Sequence, residues 1–339
     1  MNFGGRLLEN RPVLEELQEV APAIRRVALV DNPASGLHSS RREATVRAAK
    51  EALESAGVEV ELLTTDGPGS GRVLAREAAD RGCDSVIVCG GDGTVHEVLQ
   101  ALVGTEVALG VVPMGTANAL ASDLGLSKSP AKAIRRLLTA KPVQVPVGRI
   151  LYRTTDGVER CRYFTVAAGV GADALLMARM DPIRKRKWGY LLYVVEAFRI
   201  WASHPFPLFQ VRAAMNGNGR PHVVAASQIL AVRVRSFGGL LGTLAPGATL
   251  HSDSLCLVAF KTRSRFRYLR FLLAVIGQRQ TFSKYVELLK ANTIECVPAN
   301  GSSSHVYVEA DGEVLGQLPV RIEIASKTLT LLIPPDAQP

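Results

Sequence analysis

Three short loops carry most of the side chains that can do chemistry in this chain. Residues 89–94 read CGGDGT, residues 113–121 read PMGTANALA and residues 309–313 read EADGE. The first two lead from strand-like runs through glycines into helix starts, where backbone N–H groups converge on anions. The third loop projects Asp311 and Glu313, which can act as a base and its orienting partner. On its own, that loop also reads as an ordinary hairpin turn.

The GGDGT loop is the strongest of these signals. It directly follows SVIV, a run typical of a buried strand. Gly90, Gly91 and Gly93 leave room for a phosphate to approach the backbone, and Thr94 opens a helix. Asp92 can act through a magnesium ion or bond to a nucleotide. Because the flanking residues do not suggest a hairpin, we interpret the loop as a phosphate site.

Two more loops follow strands in the same half of the chain. The run VALV leads to DNPASG, in which Asn32, Ser35 and Gly36 offer donors to phosphates. The same loop also suits a plain strand-to-helix turn, with Pro33 and Gly36 as its breakers. PMGTANALA is a second glycine–threonine loop. Ligands of open α/β sheets bind at the carboxyl ends of the strands, so we expect both glycine–threonine loops to face one crevice.

The surrounding pattern indicates which elements position these loops. From Arg26 onwards, short strands alternate with amphipathic helices, which predicts a parallel sheet covered by helices on both faces. Past about Lys141, strand-like runs recur with turn signals between them, which predicts an antiparallel β-sandwich with one helical insert near 183–202. We therefore expect an extension over 1–24 and an α/β domain over 25–142. A β-domain is expected over 143–325.

The composition limits the partners and the cellular location that we expect for this protein. The 339 residues include 40 basic and 31 acidic ones, a formal charge of +9 that favours nucleotide phosphates, acidic lipid surfaces or nucleic acid as partners. The five cysteines are dispersed, which suggests a reducing cytoplasm. No uncharged apolar run approaches the length of about 20 residues that spans a bilayer. We expect a cytoplasmic protein that is at most peripheral to a membrane.

Two segments combine basic residues with aromatic and aliphatic ones. Residues 184–201 read RKRKWGYLLYVVEAFRIW, and residues 263–277 read RSRFRYLRFLLAVIG. Such segments suit an anionic membrane interface. They equally suit core helices with a solvated basic end, so both interpretations stay open.

Taken in order, the motifs resemble the diacylglycerol kinase catalytic-domain family. The resemblance is to its bacterial soluble lipid kinases, which are related to sphingosine and ceramide kinases. NPASG, GGDGT, PMGTANALA, AAGVGADA, FGG…LAPGATL and EADGE follow one another from about Arg26 to Pro334. The resemblance implies a Rossmann-like, NAD kinase-like nucleotide domain, to which residues 326–339 return. It also implies a β-sandwich that contributes to lipid binding.

The same resemblance implies an ATP-dependent lipid kinase in phospholipid synthesis. Asp311 matches the general base of that family, with Glu313 beside it. Magnesium would involve Asp92. Of the family's acidic run linked to a second magnesium site, only Asp253 survives within residues 250–258. The residues implied to contact ATP are Asn32, Pro33, Ser35, Gly36, Gly90, Gly91, Asp92, Gly93, Thr94, Glu97, Gly115, Thr116 and Asn118.

The chain also departs from the family pattern at several positions. Leu37 stands where the family often has a basic residue, a role that Arg41 and Arg42 can take over. His96 and Ala119 stand where related kinases commonly show Asn and Asp.

Two rival functions remain open. The related NAD kinases also use GGDGT, but a soluble dinucleotide acceptor explains neither PMGTANALA nor the basic amphipathic segments. A lipid- or nucleotide-binding protein without catalysis would explain the altered 250–258 run, but not the retained acidic residues. We expect no nucleic-acid partner, since no recognition motif accompanies the charge. The sequence does not decide whether the protein forms a homodimer.

Overall fold

The computed structural model describes residues 24–35, 39–127, 129–154, 156–180, 190–215, 218–237, 243–277, 284–299 and 305–337. Some of the predicted features lie outside these ranges. They are the extension over 1–24, except for its last residue, together with Gly36, Leu37 and the basic run 184–187.

The first half of the chain alternates strands and helices. Its elements are β1 (Arg26–Asp31), α1 (Ser39–Ser55), β2 (Glu59–Thr64), α2 (Ser70–Asp80), β3 (Ser85–Gly90), α3 (Asp92–Leu102), β4 (Ala108–Pro113), α4 (Ala119–Asp123) and α5 (Pro130–Leu138). The strands run parallel in the order β2-β1-β3-β4. β3 and β4 are buried along their whole length, as expected of parallel strands covered on both faces.

The second half is mainly antiparallel. Its elements are β5 (Lys141–Arg153), β6 (Glu159–Phe164), β7 (Ala167–Gly171), α6 (Ala172–Ala178), α7 (Tyr190–Ser203), β8 (Phe209–Met215), β9 (Asn218–Ala226), β10 (Gln228–Val232), β11 (Leu255–Phe260), α8 (Arg265–Ile276), β12 (Val286–Ala291), β13 (Thr293–Pro298), β14 (Tyr307–Ala310), β15 (Glu313–Gln317) and β16 (Val320–Ile333). A six-stranded sheet has the order β12-β11-β10-β7-β14-β15.

Two long strands join the halves into one ten-stranded sheet. β5 and β16 pair from Lys141↔Ile333 to Tyr152↔Val320. Near its end β16 also pairs in parallel with β4, and near its start it pairs with β13. The last strand therefore lies beside the first parallel sheet. β5 runs through the predicted boundary at residue 142 and β16 runs through the one at residue 325, so the domain limits themselves stay a prediction.

The predicted fold class is confirmed. The sandwich portion of the ten-stranded sheet packs its buried face against the six-stranded sheet, with Phe164, Phe209 and Ile322 facing Val170, Leu257 and their neighbours in one core.

The prediction of one helical insert is incomplete, because α6 and α8 are helices as well as α7. α8 buries Phe271 and Val275, four residues apart, so one helical face packs on the sheet. No helix among the described residues has the length and apolar character needed to cross a bilayer.

Candidate active site

The two glycine–threonine loops touch each other backbone to backbone. They leave the carboxyl ends of β3 and β4, which are neighbours in the sheet. A Cβ atom at Gly115 would lie 2.7 Å from the Cα of Gly91, which is closer than real side chains approach a backbone. Only glycine at residue 115 permits this contact. The two loops therefore lie together at the carboxyl ends of β3 and β4, and a shared ligand crevice there stays a prediction.

Asp92 ties the two loops together. Its Oδ2 accepts from the backbone N–H of Asn118, and its Oδ1 accepts from that of Ala119, both at 2.8 Å. Asn118 has a left-handed φ of 52°, and its side chain bonds to both the N–H and the carbonyl of Gly115. The Asp92 carboxylate therefore holds the second loop at the start of α4, a structural task that its sequence context did not reveal.

The start of α3 is a site suited to phosphate. Gly91 is its N-cap residue, and glycine has no side chain that could cap the first N–H groups. Those groups and the positive end of the helix dipole favour an anion. The Asn32 amide donates to the Thr94 hydroxyl at 2.7 Å, which fixes the first loop beside this helix. Thr116, on the second loop, is exposed.

The loop after β1 is folded by its own side chains. Asn32 Oδ1 accepts from the N–H of Ala34, and the Asn32 carbonyl accepts from both the N–H and the hydroxyl of Ser35. Pro33 lies exposed between them. This is the local turn that the sequence allowed, and it presents the Asn32 amide to α3.

Two residues expected near the nucleotide have other partners. Glu97 accepts from the N–H groups of Gly69 and Gly71, at 2.7 and 3.0 Å, and so caps the start of α2. Arg42 is buried and donates to both carboxylate oxygens of Asp31, at 2.5 and 2.6 Å. Its guanidinium is therefore held by Asp31, and its substitution for the basic residue that the family often has at position 37 stays a prediction.

Asp311 lies in the tight turn between β14 and β15. Asp311 and Gly312 have φ values of 48° and 86°, the pattern of a type I′ hairpin turn. The Asp311 carboxylate accepts from the N–H groups of Thr165, Val166 and Ala167 at 2.9, 2.9 and 3.0 Å. Its side chain is only 4% exposed. Three amides therefore fix the orientation of this carboxylate.

The Asp311 hairpin packs against α3. His96, on α3, has its Nδ1 atom 3.6 Å from Asp311 Oδ2. Near the start of the same helix, a Cβ at Gly93 would lie 3.1 Å from Glu313 Oε1. The EADGE and GGDGT motifs are 217 residues apart in the chain, counted from Asp92 to Glu309, yet they meet here. The Asp311 side chain is shielded from solvent and Glu313 is exposed, so the two carboxylates occupy different environments.

A second pair of carboxyl groups lies behind the turn. Asp173, in the first turn of α6, hydrogen-bonds to Glu309, and Glu309 Oε2 accepts from the N–H of Gly312 at 2.7 Å. Burial raises the pKa of Asp173 to about 6, and burial and the Asp173 charge raise the pKa of Glu309 well above its usual value. A Cβ at Gly169 would lie 2.5 Å from Glu309 Oε1, so glycine makes room for the pair.

Arg233 is a fully buried cation near this turn. Its guanidinium donates to the carbonyls of Pro146, Leu250 and Ser252, at 2.9, 2.7 and 3.2 Å. Burial lowers the pKa of Arg233 to about 10, while the charges of Cys256 and Asp311 oppose that effect. The residue therefore holds the segment before β11 and lies within electrostatic range of Asp311.

Carboxylates that could bind magnesium are sparse. No group of three or more His, Cys, Asp and Glu residues forms a metal-binding cluster among the residues described. Asp253 belongs to no such cluster, and its backbone carbonyl accepts from the Asn292 amide. Its role as a ligand stays a prediction. Magnesium usually keeps several waters and needs only one or two carboxylates beside substrate phosphates, and the exposed Glu313 fits that need.

Sequence reasoning missed the residues that surround Asp311. His96 was noted only as a departure from the family. Asp173 and Glu309 lie within the quoted motifs GVGADA and EADGE, but nothing in their spacing indicates that they touch. The sequence offers one indication of a buried Arg233, since this charged residue lies inside the apolar run ILAVRV.

Two protein-family models match this chain, one in its first half and one in its second half. Residues 26–150 match the family model described as the diacylglycerol kinase catalytic domain. Residues 165–333 match the model described as the YegS C-terminal NAD kinase beta sandwich-like domain.

Individual relatives agree with these matches. A diacylglycerol kinase from Mycobacterium tuberculosis is 29% identical over 318 residues, covering 92% of this chain and 96% of its own length. A probable lipid kinase YegS-like from Chromohalobacter salexigens is 40% identical over 109 residues, covering 31% of this chain and 35% of its own.

A solved structure extends the likeness to the fold. The crystal structure of a putative diacylglycerol kinase from Bacillus anthracis superposes with a TM-score of 0.73 at 21% identity, covering 93% of this chain and 97% of the other. With both family models matched in order and a diacylglycerol kinase aligned over nearly its whole length, this chain belongs to the diacylglycerol kinase catalytic-domain family of lipid kinases.

Proposed function

We propose that this protein transfers the γ-phosphate of ATP to the hydroxyl of a diacylglycerol-like lipid alcohol, with Asp311 as the general base. One observation carries the proposal. The hairpin that holds Asp311 packs on α3, whose first N–H groups form the phosphate site, so base and phosphate site share one helix.

The glycine loops serve to bind the phosphates. The first turn of α3 offers backbone donors, and the contact between Gly91 and Gly115 brings the second loop to the same place. Asn32, through Thr94, keeps the first loop close to this helix. Positioning and charge neutralisation do most of the work in phosphoryl transfer, so preorganised backbone donors are the expected machinery.

Asp311 is oriented for proton transfer. Oδ1 accepts from the N–H groups of Val166 and Ala167, whereas Oδ2 accepts one amide, from Thr165, with the Thr165 hydroxyl 3.4 Å away. Oδ2 is therefore the oxygen that can accept the proton of an attacking hydroxyl. His96 lies on the Oδ2 side and limits how the carboxylate can turn.

Magnesium arriving with the nucleotide would meet Glu313, which is exposed and lies against Gly93. When bound, the ion neutralises charge on the phosphates. Asp92 is the other predicted ligand. Both of its oxygens accept backbone N–H groups, so its main contribution is the loop geometry.

The test follows labelled phosphate from magnesium ATP into dispersed short-chain diacylglycerol, with a mixed lipid extract and NAD as alternative acceptors. We compare the parent with Asp311→Asn, and use Asp84→Asn as the matched control. Asp84 also accepts two backbone N–H groups, from Arg25 and Arg26, but it precedes β3, at the opposite end of that strand from the glycine loop. We expect Asp311→Asn to lose at least about 100-fold in kcat.

Each result has a distinct meaning. Label in the organic phase that depends on Asp311 and not on Asp84 supports the proposal. Organic label that survives in Asp311→Asn removes the residue from the base role. Label in NAD alone identifies an NAD kinase-like enzyme, and no transfer by a folded protein identifies a binding protein. The proposed place of action is the cytoplasmic face of a membrane, where such a lipid is found.

A further inference from the structure

We propose that α7 and α8 together form a docking surface for an anionic lipid bilayer. This inference deepens the proposed lipid kinase function and rests on it for the choice of partner. It is carried by an outward apolar face on both helices, by the aromatic contacts that join them, and by the arginines around them.

The apolar residues of α7 point outward. Leu191, Val194, Val195 and Phe198 follow the spacing of one helical face, and each is exposed, Phe198 by 63%. The opposite face holds three buried residues, which are Leu192, Glu196 and Ile200. A helix whose exposed stripe is apolar is the reverse of the usual surface helix.

α8 extends this surface. Phe266 is 77% exposed, and Leu269, Leu272 and Leu273 are exposed on the same helix. Phe271 and Val275 are buried against the sheet, so the inner face of α8 packs on the protein itself and the exposed residues lie on its outer face.

An aromatic ridge joins the two helices. It consists of Phe198, Trp201 and Phe266. The ring centroids of Phe198 and Trp201 are 5.5 Å apart. Those of Trp201 and Phe266 are 6.3 Å apart, and these two rings meet edge to face. The indole N–H of Trp201 donates to the Arg265 carbonyl at 2.9 Å. The two helices therefore present one continuous apolar surface, and such surfaces mark interaction sites.

The charge around the ridge selects an anionic bilayer. The two helices and the residues leading into α8 carry one acidic side chain, Glu196, which is buried and paired with Arg199. Arginines beside exposed aromatic and aliphatic residues attract anionic headgroups while the apolar side chains enter the interface. The arginines exposed here are Arg199, Arg263, Arg265, Arg267 and Arg270.

The surface lies close to the catalytic turn. Leu175 and Leu176 of α6 pack with Ile200 of α7 and Tyr268 of α8. The sulfur of Met177, on the same short helix, would lie 3.9 Å from a Cβ at Gly312. One helix, about 10 Å across, therefore separates the docking surface from the Asp311 turn. A lipid hydroxyl at the headgroup level lies within reach of Asp311 when the protein docks here.

The test is sedimentation with vesicles of phosphatidylcholine, alone or mixed with an equal amount of phosphatidylglycerol. Phe198→Ser/Phe266→Ser removes the two most exposed phenylalanines among the described residues, and Val73→Ser/Val158→Ser is the control at exposed apolar positions, 56% and 45%, outside α7 and α8. We expect the parent and the control to bind the anionic vesicles. The double phenylalanine variant should need at least about tenfold more lipid. Arg265→Gln/Arg270→Gln should bind more weakly, and a high salt concentration should weaken the parent.

Activity on dispersed short-chain diacylglycerol separates this proposal from the proposed function. Phe198→Ser/Phe266→Ser should keep that activity while losing activity on the same lipid in vesicles. A parent that stays in the supernatant, or a phenylalanine variant that sediments like the parent, overturns the docking proposal whatever the kinase assay gives. A parent dimer that the phenylalanine variant dissociates overturns it in favour of a second copy of this chain.

Discussion

The Nδ1 atom of His96 lies 3.6 Å from Oδ2 of Asp311, and both side chains are at most 5% exposed. Within the described part of the chain, this Nδ1 atom has no hydrogen-bond partner. The distance is just beyond hydrogen-bond range, and catalytic hydrogen bonds often tighten when substrate binds. His96 therefore stands as a positioning residue for the Asp311 carboxylate.

His96→Asn should keep kcat within about tenfold of the parent, because an amide can still donate toward Asp311. His96→Leu offers no donor and should lower kcat by about 10- to 100-fold, the worth of one hydrogen bond to a charged group. The KM for ATP should change little in either variant. Steady-state kinetics on dispersed diacylglycerol measures both quantities. Equal losses in the two variants would show that His96 only fills space.

The Asp173–Glu309 pair predicts how stability depends on pH. Because folding raises both pKa values, the folded protein binds more protons than the unfolded chain as Asp173 titrates, from about pH 4 through about 6. The free energy of unfolding contributed by the pair is therefore full below about pH 4 and falls as pH rises through about 6. Asp173→Asn/Glu309→Gln replaces the pair by neutral amides and removes this dependence.

Relative to the parent, the amide variant should gain on the order of 2 kcal/mol in the free energy of unfolding between about pH 5 and pH 8. Urea unfolding at a series of pH values measures the difference. As a control, Asp336→Asn alters an exposed carboxylate that pairs with Arg136 at the surface, and its curve should stay parallel to that of the parent. A double variant whose curve also runs parallel to the parent would mean that the pair shares no proton.

The elements with periodic patterns could be predicted from sequence. The parallel strands, the glycine loops and the EADGE hairpin all depend on local spacing or on residues that permit positive φ, and the structure has each of them. The contact between Gly91 and Gly115 could also be predicted, because adjacent parallel strands bring their carboxyl ends together.

What could not be predicted depends on contacts between distant parts of the chain. Asp92 reads as a ligand for metal or nucleotide, yet both of its carboxylate oxygens accept from N–H groups, 26 and 27 residues away. Glu97 similarly caps a helix that precedes it. No periodicity encodes that Asp173 would meet Glu309, or that Arg233 would be buried against three carbonyls.

Gly115→Ala should disrupt the proposed phosphate site. Its Cβ would lie 2.7 Å from the Gly91 Cα and 2.9 Å from Asn118 Oδ1, so the two loops must separate. We expect the KM for ATP to rise by about tenfold or more, since a displacement of about 1 Å at a binding site can cost about 100-fold. Gly67→Ala is the matched control, because nothing lies within 4 Å of its new methyl group. Unchanged ATP kinetics in Gly115→Ala would exclude the second loop from the phosphate site.

Arg233→Met should destabilise the fold strongly. The substitution keeps an apolar stem but leaves the carbonyls of Pro146, Leu250 and Ser252 without their donor. A buried acceptor left without its donor costs about 1–3 kcal/mol, so the loss over three carbonyls should reach about 3 kcal/mol or more, and urea unfolding at neutral pH measures it. Arg233→Lys retains a cation but cannot span three carbonyls, so it should recover only part of the loss. Arg47→Met, at an exposed arginine of α1, should change the free energy of unfolding by less than about 0.5 kcal/mol. A loss in Arg233→Met as small as that of Arg47→Met would mean that water or a rearranged backbone satisfies the three carbonyls.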